Sequence, residues 1–383
     1  MIVKERSFSF TRDEIAFTTE SGYTFEEVRV AYETYGNLNE DCDNAILVLH
    51  ALSGDAHAAG YYTHQDPKPG WWDSMIGPGR ALDTEKYYVI CSNVLGGCRG
   101  TTGPTSRNPA TGKPYGMDFP SINIRDMVRL QKVLLDHLGV KKLKLAIGGS
   151  MGGMQALEWA VTFPDFVEAV VPIAATHKLS PLAIAFNYLG IKAIESDPEW
   201  RNGNYFERGQ PAKGLSLARM IGTITYKSDE LFKRRFDREV DPDTGLFRVE
   251  SYLEHHGESF VKRFDANTYL YLVRAMNEHD ISKPYGSLER TIRRIKARVL
   301  MIGIDTDMLY FPDDMRNFIR RLNTAGGYGE YKEIKSCQGH DAFLIDFDQL
   351  SPMVKEFLEG AEETIDGGRY LTEHINRGFR NNI

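Results

Sequence analysis

Apolar residues along the chain follow two patterns, short continuous runs and longer stretches with helical spacing. Continuous runs are typical of strands that are buried on both faces of a sheet. The runs lie at 45–49, 87–91, 145–147, 167–173 and 297–304, with a shorter strand expected at 331–334. Helical spacing lies between them, at about 125–138, 150–162 and 313–324. This alternation predicts a doubly wound, mostly parallel α/β sheet.

Two regions depart from that alternation. Residues 5–36 alternate apolar and polar side chains around Phe8–Phe10, Tyr23–Phe25 and Val28–Tyr32, which predicts antiparallel edge strands. Residues 177–296 are rich in charged and aromatic residues and contain several helix-like stretches without an obvious buried strand. We therefore predict a core domain of residues 1–176 and 297–383, with a helical lid domain of residues 177–296 inserted between its two parts.

Composition narrows the classes of function. The 383 residues carry a formal net charge of −7 with no basic block, which argues against nucleic acid as a partner. No apolar stretch of about 18 residues is present, so no membrane span is expected. The N-terminus lacks the apolar segment of a signal peptide, and the four cysteines show no CxxC spacing, which favours reduced thiols and a cytoplasmic location.

A Gly-x-Ser-x-Gly sequence, formed by Gly148, Ser150 and Gly152, lies between a predicted strand and a predicted helix. In this context the pattern indicates a nucleophile elbow, a strained turn that exposes the serine hydroxyl beside a helix N-terminus. Small flanking residues are needed because other side chains would clash in the turn. We predict that Ser150 is a nucleophile.

A serine nucleophile needs a histidine base that is held by a carboxylate, in the chain order serine, acid, histidine. Only His340 and His374 follow the strand at 297–304, and His340 is favoured because it follows a strand and a glycine. Asp305 and Asp307 both follow the earlier strand, and spacing alone does not separate them. One of the two could simply cap the turn.

An acyl transfer also needs backbone N–H groups that bind the oxyanion. We expect one from Met151, directly after the nucleophile, and one from Leu52 in the loop after the first buried strand. The adjacent His255 and His256 lack the spacing of a familiar metal site, so we expect no metal there and interpret them as residues on a helix surface.

The segment Gly148–Trp159 resembles the nucleophile block of homoserine O-acetyltransferases, α/β-hydrolase-fold enzymes of methionine biosynthesis. Further similar blocks span nearly the whole chain, at 30–36, 50–57, 93–104, 214–222 and 339–344. The resemblance implies an α/β-hydrolase fold with a helical lid and a homodimer that is built from lid helices. It implies acetyl-CoA and L-homoserine as substrates, with acetyl-CoA as the acyl donor and no separate cofactor.

The resemblance also implies roles for individual residues. The sequence from Asp307 to Pro312 is similar to the family pattern around the acid, with one extra residue before the proline in some comparisons, and favours Asp307 over Asp305. Arg219 would bind the carboxylate of homoserine and Asp341 its amino group, and Tyr226 would also reach the substrate. One departure is Thr223, where many relatives have histidine, which we interpret as a neutral change in the lid.

The predicted reaction is a two-step acyl transfer through Ser150, with His340 as the base, that gives O-acetyl-L-homoserine. A succinyl donor or an L-serine acceptor is an alternative, and Asp55 rather than a basic residue near the oxyanion loop favours acetyl over succinyl. A carboxylic ester hydrolase is a further alternative, because a triad alone does not distinguish water from an alcohol. A non-catalytic binding protein on this fold is disfavoured by the complete set of serine, acid and histidine.

Overall fold

The computed structural model describes residues 1–366 and places eight strands in one sheet of order β1-β2-β6-β3-β7-β8-β9-β10. The strands are β1 (Arg6–Thr11), β2 (Glu27–Tyr35), β3 (Ala45–Leu49), β4 (Ile76–Gly77), β5 (Leu82–Asp83), β6 (Tyr88–Ser92), β7 (Leu143–Gly149), β8 (Ala169–Ile173), β9 (Arg298–Ile304) and β10 (Gly329–Ile334). The short strands β4 and β5 pair with each other outside this sheet. In sheet order from β6 to β10, neighbouring strands pair in parallel. The pairs β1–β2 and β2–β6 are antiparallel. The prediction of a mostly parallel sheet with antiparallel strands at one edge is confirmed.

Each strand of the sheet centre carries apolar side chains toward both faces. In β3, Ala45, Leu47 and Leu49 belong to the core on one face, and Ile46 and Val48 belong to the core on the other. Successive side chains of a strand point to opposite faces, so a strand that is covered on both sides reads as a continuous apolar run. This explains why the run at 45–49 identified a strand.

Ten α-helices cover the sheet and form the insertion within the described residues. They are α1 (Ile124–His137), α2 (Met151–Thr162), α3 (Pro181–Glu195), α4 (Ala212–Thr225), α5 (Asp229–Phe236), α6 (Arg248–Val261), α7 (Ala266–Asn277), α8 (Leu288–Ile292), α9 (Pro312–Thr324) and α10 (Phe347–Asp366). Short 3₁₀ helices lie at Asp73–Met75, Gly116–Asp118, Pro198–Gly203, Lys283–Tyr285 and Gly339–Leu344. The segment between β8 and β9 carries α3 to α8.

One predicted strand is absent from the structure, and one candidate histidine lies outside the described residues. Tyr23–Phe25 is not a strand, because only Thr24 forms an isolated bridge, with Thr18. His374 lies outside the described residues. Within residues 1–366, no helix combines the length and hydropathy that crossing a membrane would require.

Candidate active site

Ser150 lies at the turn between β7 and α2, with backbone angles of φ 58° and ψ −122°. An L-residue with positive φ is strained, which is the geometry expected of a nucleophile elbow. The turn also runs against β3. A Cβ atom at Gly148 would lie 2.3 Å from the carbonyl oxygen of Leu49, and one at Gly152 would lie 2.1 Å from it. Both positions therefore require glycine, and together they hold Ser150 at the end of the sheet.

A cavity of about 450 Å³ opens at Ser150. It lies at the carboxyl ends of the parallel strands, where ligands bind in open α/β sheets. The core contributes the loop 51–57, residues 68–71 and the segment that carries His340, and the insertion contributes residues of α4 and the chain just after α6. The nucleophile and residues of the insertion thus share one cavity.

His340 and Asp307 form a buried pair beside Ser150. The Nδ1 atom of His340 lies 2.7 Å from Oδ2 of Asp307. The other oxygen of Asp307 accepts the backbone N–H groups of Leu309 and Tyr310, at 2.8 and 3.1 Å, which fixes the carboxylate. Burial opposes protonation of His340, but the charge and hydrogen bond of Asp307 outweigh it and raise the pKa of the imidazole above its usual value.

The second ring nitrogen of His340 is left for chemistry. Its Nε2 atom is buried and has no hydrogen-bond partner among residues 1–366. The imidazole ring stacks on Tyr310, with ring centroids 5.0 Å apart. Because Nδ1 is engaged by Asp307, Nε2 is the atom that can accept a proton from Ser150.

The geometry separates the two aspartates that spacing left open. Asp305 is exposed, and its Oδ1 atom accepts the backbone N–H of Ser336 at 2.9 Å. It therefore braces the turn after β10, whereas Asp307 contacts His340. The residue that caps the turn after β9 is Asp307 itself, through the N–H groups of Leu309 and Tyr310, and the same carboxylate also holds His340.

The loop that carries Leu52 is held by buried hydrogen bonds. The Nδ1 atom of His50 lies 2.8 Å from the carbonyl oxygen of Ala51, and its Nε2 accepts the N–H of Val94 at 3.1 Å. The Gln155 amide donates to the carbonyl oxygens of His50 and Met151, at 3.2 and 3.1 Å. This network ties the loop to the first turn of α2, where the leading N–H groups have no partner within the helix.

The N–H of Leu52 forms no hydrogen bond with another residue of 1–366, and Leu52 lines the same cavity as Ser150. Met151 is the first residue of α2, directly after the nucleophile. Both predicted oxyanion donors thus belong to segments that meet at Ser150. This arrangement suits a developing negative charge on an acyl oxygen.

The three predicted substrate contacts line the same cavity as Ser150. Arg219, Tyr226 and Asp341 lie on its wall, and the guanidinium carbon of Arg219 is 5.5 Å from the Tyr226 ring centroid. Asp341 is not free, because its Oδ2 atom lies 2.8 Å from Nζ of Lys227. Thr223 does not line this cavity, and its hydroxyl donates to the carbonyl oxygen of Arg219 one turn back along α4.

Sequence reasoning missed two cations at the site. Lys227 pairs with Asp341, and Arg263 donates from Nη1 to the carbonyl oxygen of Ser53 at 2.8 Å. The expectation that the oxyanion loop has no basic neighbour is therefore wrong, and Asp55 does not argue for an acetyl donor. Arg263 is about 210 residues away along the chain, so no local pattern could have placed it there. His255 and His256 lie on α6, His255 being exposed.

Comparisons with known proteins identify the fold and the family of the chain. A family model described as alpha/beta hydrolase fold matches residues 44–347. A homoserine O-acetyltransferase from Carboxydothermus hydrogenoformans is 54% identical over 350 residues, which cover 89% of this chain and 92% of that protein. These matches span both the sheet and the inserted helices.

Solved structures give the same fold. The crystal structure of a homoserine O-acetyltransferase from Bacillus anthracis superimposes with a TM-score of 0.87 at 34% identity, covering 94% of this chain and 98% of that one. The structure of esterase E22 gives a TM-score of 0.86 at 34% identity, covering 93% and 100%. On the strength of the sequence identity over most of both chains, this protein belongs to the homoserine O-acetyltransferase family of α/β-hydrolase-fold enzymes.

Proposed function

We propose that the protein transfers the acetyl group of acetyl-CoA to the hydroxyl of L-homoserine. The observation that carries the proposal is one cavity that holds Ser150, His340, a cation at Arg219 and an anion at Asp341. A zwitterionic amino acid needs both charges, and a guanidinium offers two parallel N–H groups to a carboxylate. A site built only for ester hydrolysis has no need of such a pair.

In the first half of the reaction, His340 takes the proton of Ser150 as the serine oxygen attacks the thioester carbon. The charged imidazole is stabilised by Asp307, and the N–H groups of Leu52 and Met151 bind the oxyanion. When the carbon–sulfur bond breaks, His340 returns the proton to the departing sulfur. The product of this half is CoA and an acetyl ester on Ser150.

In the second half, the hydroxyl of L-homoserine attacks the acetyl ester. Arg219 binds its carboxylate, and Asp341 shares its carboxylate between Lys227 and the ammonium group of the substrate. His340 removes the proton of the hydroxyl and then protonates Ser150 as the ester bond breaks. The acetyl group leaves as O-acetyl-L-homoserine, and the free serine is restored.

A panel of donors and acceptors tests the proposal. CoA release is measured with acetyl-CoA and succinyl-CoA, each with L-homoserine or L-serine. We expect acetyl-CoA with L-homoserine to give the highest kcat/KM. A higher value with succinyl-CoA, or with L-serine, would assign a different donor or acceptor to the same cavity.

Hydrolysis is the second candidate function, because esterase E22 shares the fold over almost the whole of both chains. The two activities differ in their need for the acceptor. An acetyltransferase releases CoA faster when homoserine is added, and the gain appears as O-acetylhomoserine. A hydrolase releases CoA at the same rate with or without it.

We also propose that the protein is a cytoplasmic homodimer that pairs through the lid helices. All four cysteines are free thiols, which suits a reducing compartment. The packed helices α3 and α4 expose large apolar side chains at Leu182, Ile184, Tyr188, Leu189, Leu217 and Ile224. Exposed apolar groups in such number on adjacent helices mark an interaction surface.

Sedimentation analysis of a Leu189→Glu variant tests the dimer. We expect the wild type to sediment as a dimer and the variant to shift toward the monomer, because a charge is buried poorly in an apolar interface. Tyr328→Glu, at an equally exposed position after α9, is the control. A monomeric wild type, or a variant that stays dimeric, would contradict the proposal.

A further inference from the structure

Two sequence blocks of the resemblance, 30–36 and 50–57, meet in the structure through a second carboxylate–imidazole pair. The Nδ1 atom of His57 lies 3.1 Å from Oε2 of Glu33, which is fully buried on β2. The mechanism above uses only Leu52 from these two blocks. The Glu33–His57 pair takes no part in the proton transfers of that mechanism.

Glu33 is held in a network that its burial requires. Its Oε2 atom also accepts the hydroxyl of Tyr35 at 2.7 Å, and that hydroxyl accepts the N–H groups of Ala58 and Ala59, each at 3.0 Å. A buried carboxylate is costly unless its oxygens are hydrogen-bonded or paired. The network keeps an acceptor at one fixed position, and the group that it holds on the cavity side is His57.

The imidazole of His57 is fixed on two sides and open on a third. Its ring stacks on Tyr62 with centroids 4.1 Å apart, and its Nδ1 faces Glu33. Its Nε2 atom has no hydrogen-bond partner among residues 1–366 and is not buried, and His57 lines the same cavity as Ser150. The geometry leaves Nε2 as a polar atom for a molecule bound in the cavity.

The surroundings of Nε2 favour an oxygen that accepts a hydrogen bond. Burial opposes protonation of His57, but hydrogen bonding and the charge of Glu33 outweigh it and raise the pKa of the imidazole. Lys68 and Arg263 line the same cavity, and the N–H of Trp71, three residues after Lys68, donates to the carbonyl oxygen of His57 at 3.2 Å. Asp55 is the one carboxylate of the loop 51–57.

We propose that the Glu33–His57 pair binds the acyl donor. His57 does so as an imidazolium, which donates Nδ1–H to Glu33 and Nε2–H to a donor oxygen beyond the thioester. This inference rests on the proposed function, because homoserine has its own contacts at Arg219 and Asp341, whereas the carrier arm of CoA does not. The oxygens of that arm that accept hydrogen bonds are the amide carbonyls of pantetheine and the phosphates. Glu33 is a positioning residue, and His57 is the residue that contacts the donor.

Two substitutions of His57 distinguish the contribution of Nδ1 from that of Nε2. His57→Asn keeps an N–H near the Nδ1 position and loses the donor at Nε2, whereas His57→Gln keeps a donor near Nε2. We expect His57→Asn to raise the KM for acetyl-CoA about tenfold or more, the typical effect of losing one hydrogen bond from a charged group. His57→Gln should raise the KM for acetyl-CoA by a smaller factor. The KM for homoserine should stay within about twofold of the wild-type value in both variants. Glu33→Gln should raise the KM for acetyl-CoA as well.

Shorter donors distinguish the two sources of the oxygen. If Nε2–H binds a phosphate, His57→Asn raises the KM for acetyl-CoA but leaves the KM for S-acetylpantetheine unchanged. If it binds an amide carbonyl, the KM values for both donors rise by the same factor. Either result supports the proposal. An unchanged KM for every donor, or an equal rise in the KM for homoserine, would overturn it.

The control is His64→Asn, the same change at an exposed histidine of the neighbouring loop that does not line the cavity. Calorimetric titration of CoA into each variant gives a second measurement that needs no turnover. Weaker CoA binding by His57→Asn supports the proposal, and binding equal to wild type contradicts it. A wild type that binds CoA but does not acetylate homoserine would refute the proposed function while leaving this test intact.

Discussion

His340 moves the proton in both halves of the proposed reaction, and its two ring nitrogens have separate tasks. Nδ1 faces Asp307 at 2.7 Å, and Nε2 has no partner within residues 1–366. A base acts only in its neutral form, so activity must fall as the pH drops through the pKa of His340. Because that pKa is raised above its usual value of 6.5, the fall begins above this pH.

Replacing Asp307 with asparagine tests this arrangement. We expect Asp307→Asn to lower kcat by about 10³–10⁴-fold, because the imidazole loses the carboxylate that stabilises its charged form. Burial lowers the pKa of His340, and the variant lacks the Asp307 charge that counteracts this effect. The pKa therefore falls, and the acidic limb of the pH–rate profile moves to lower pH. The matched control is Asp305→Asn, which alters the contacts of Asp305 with Ser336 and Lys335, away from His340, and should retain most of the activity.

An acidic limb that stays in place in Asp307→Asn would contradict the assignment. So would a larger loss in Asp305→Asn than in Asp307→Asn.

At this scale the sequence predicts residue types better than contacts. The elbow and the chain order point to Ser150 and His340, but Asp305 and Asp307 both follow the same strand, and the sequence does not show which of them reaches the histidine. The resemblance favoured Asp307, and only coordinates show that Asp305 accepts the N–H of Ser336 instead. The pairing of Lys227 with Asp341 joins residues far apart in the chain, which no spacing rule could reveal.

Among the structural elements, the β7–α2 turn is the one that local sequence specifies best. An apolar strand, a glycine-flanked serine and a helix together leave few alternatives, and β7 ends at Gly149 as expected. The glycines are needed because the turn packs against β3. Tyr23–Phe25 shows the opposite case, since alternation over so few residues does not ensure a pairing partner.

Packing at this turn predicts the effect of adding one methyl group. We expect Gly152→Ala to lower the free energy of unfolding by about 1–3 kcal/mol, because the new Cβ would lie 2.1 Å from the carbonyl oxygen of Leu49. Gly360→Ala on α10 is the control, since its Cβ would meet no atom within 4 Å and alanine favours helix by about 0.5–1 kcal/mol. Denaturant unfolding measures both. Equal stability of the two variants would contradict this view of the turn.

The contact between the insertion and the oxyanion loop gives a second test at this scale. Arg263 donates to the carbonyl oxygen of Ser53, next to Leu52, and its guanidinium lies 5.2 Å from the ring of Phe260. Without that hydrogen bond the N–H of Leu52 is held less firmly. We expect Arg263→Met to lower kcat about tenfold with little change in the KM for homoserine. A rise in that KM without a change in kcat would show that Arg263 binds substrate instead.

At the scale of the whole molecule, the insertion completes the site that the sheet begins. The chain after α4 is tied to the segment of His340, because the N–H of Asp341 donates to the carbonyl oxygen of Tyr226 at 3.3 Å. The hydroxyl of Ser228 also donates to the carbonyl oxygen of Cys337. The sequence predicted that residues 177–296 are helical, but not how they pack, because helical periodicity shows which face is apolar and not what covers it. The position of Arg219 was therefore known only through the resemblance.

The proposed reaction moves an acetyl group from CoA to Ser150 and then to homoserine. The most direct measurement is the intact mass of the protein after mixing with acetyl-CoA, first without and then with L-homoserine. We expect the mass of one acetyl group on Ser150, absent from Ser150→Ala, and its quantitative loss to O-acetylhomoserine when homoserine is added. An adduct that disappears at the same rate without homoserine, giving acetate, would show that Ser150 transfers the acetyl group to water instead.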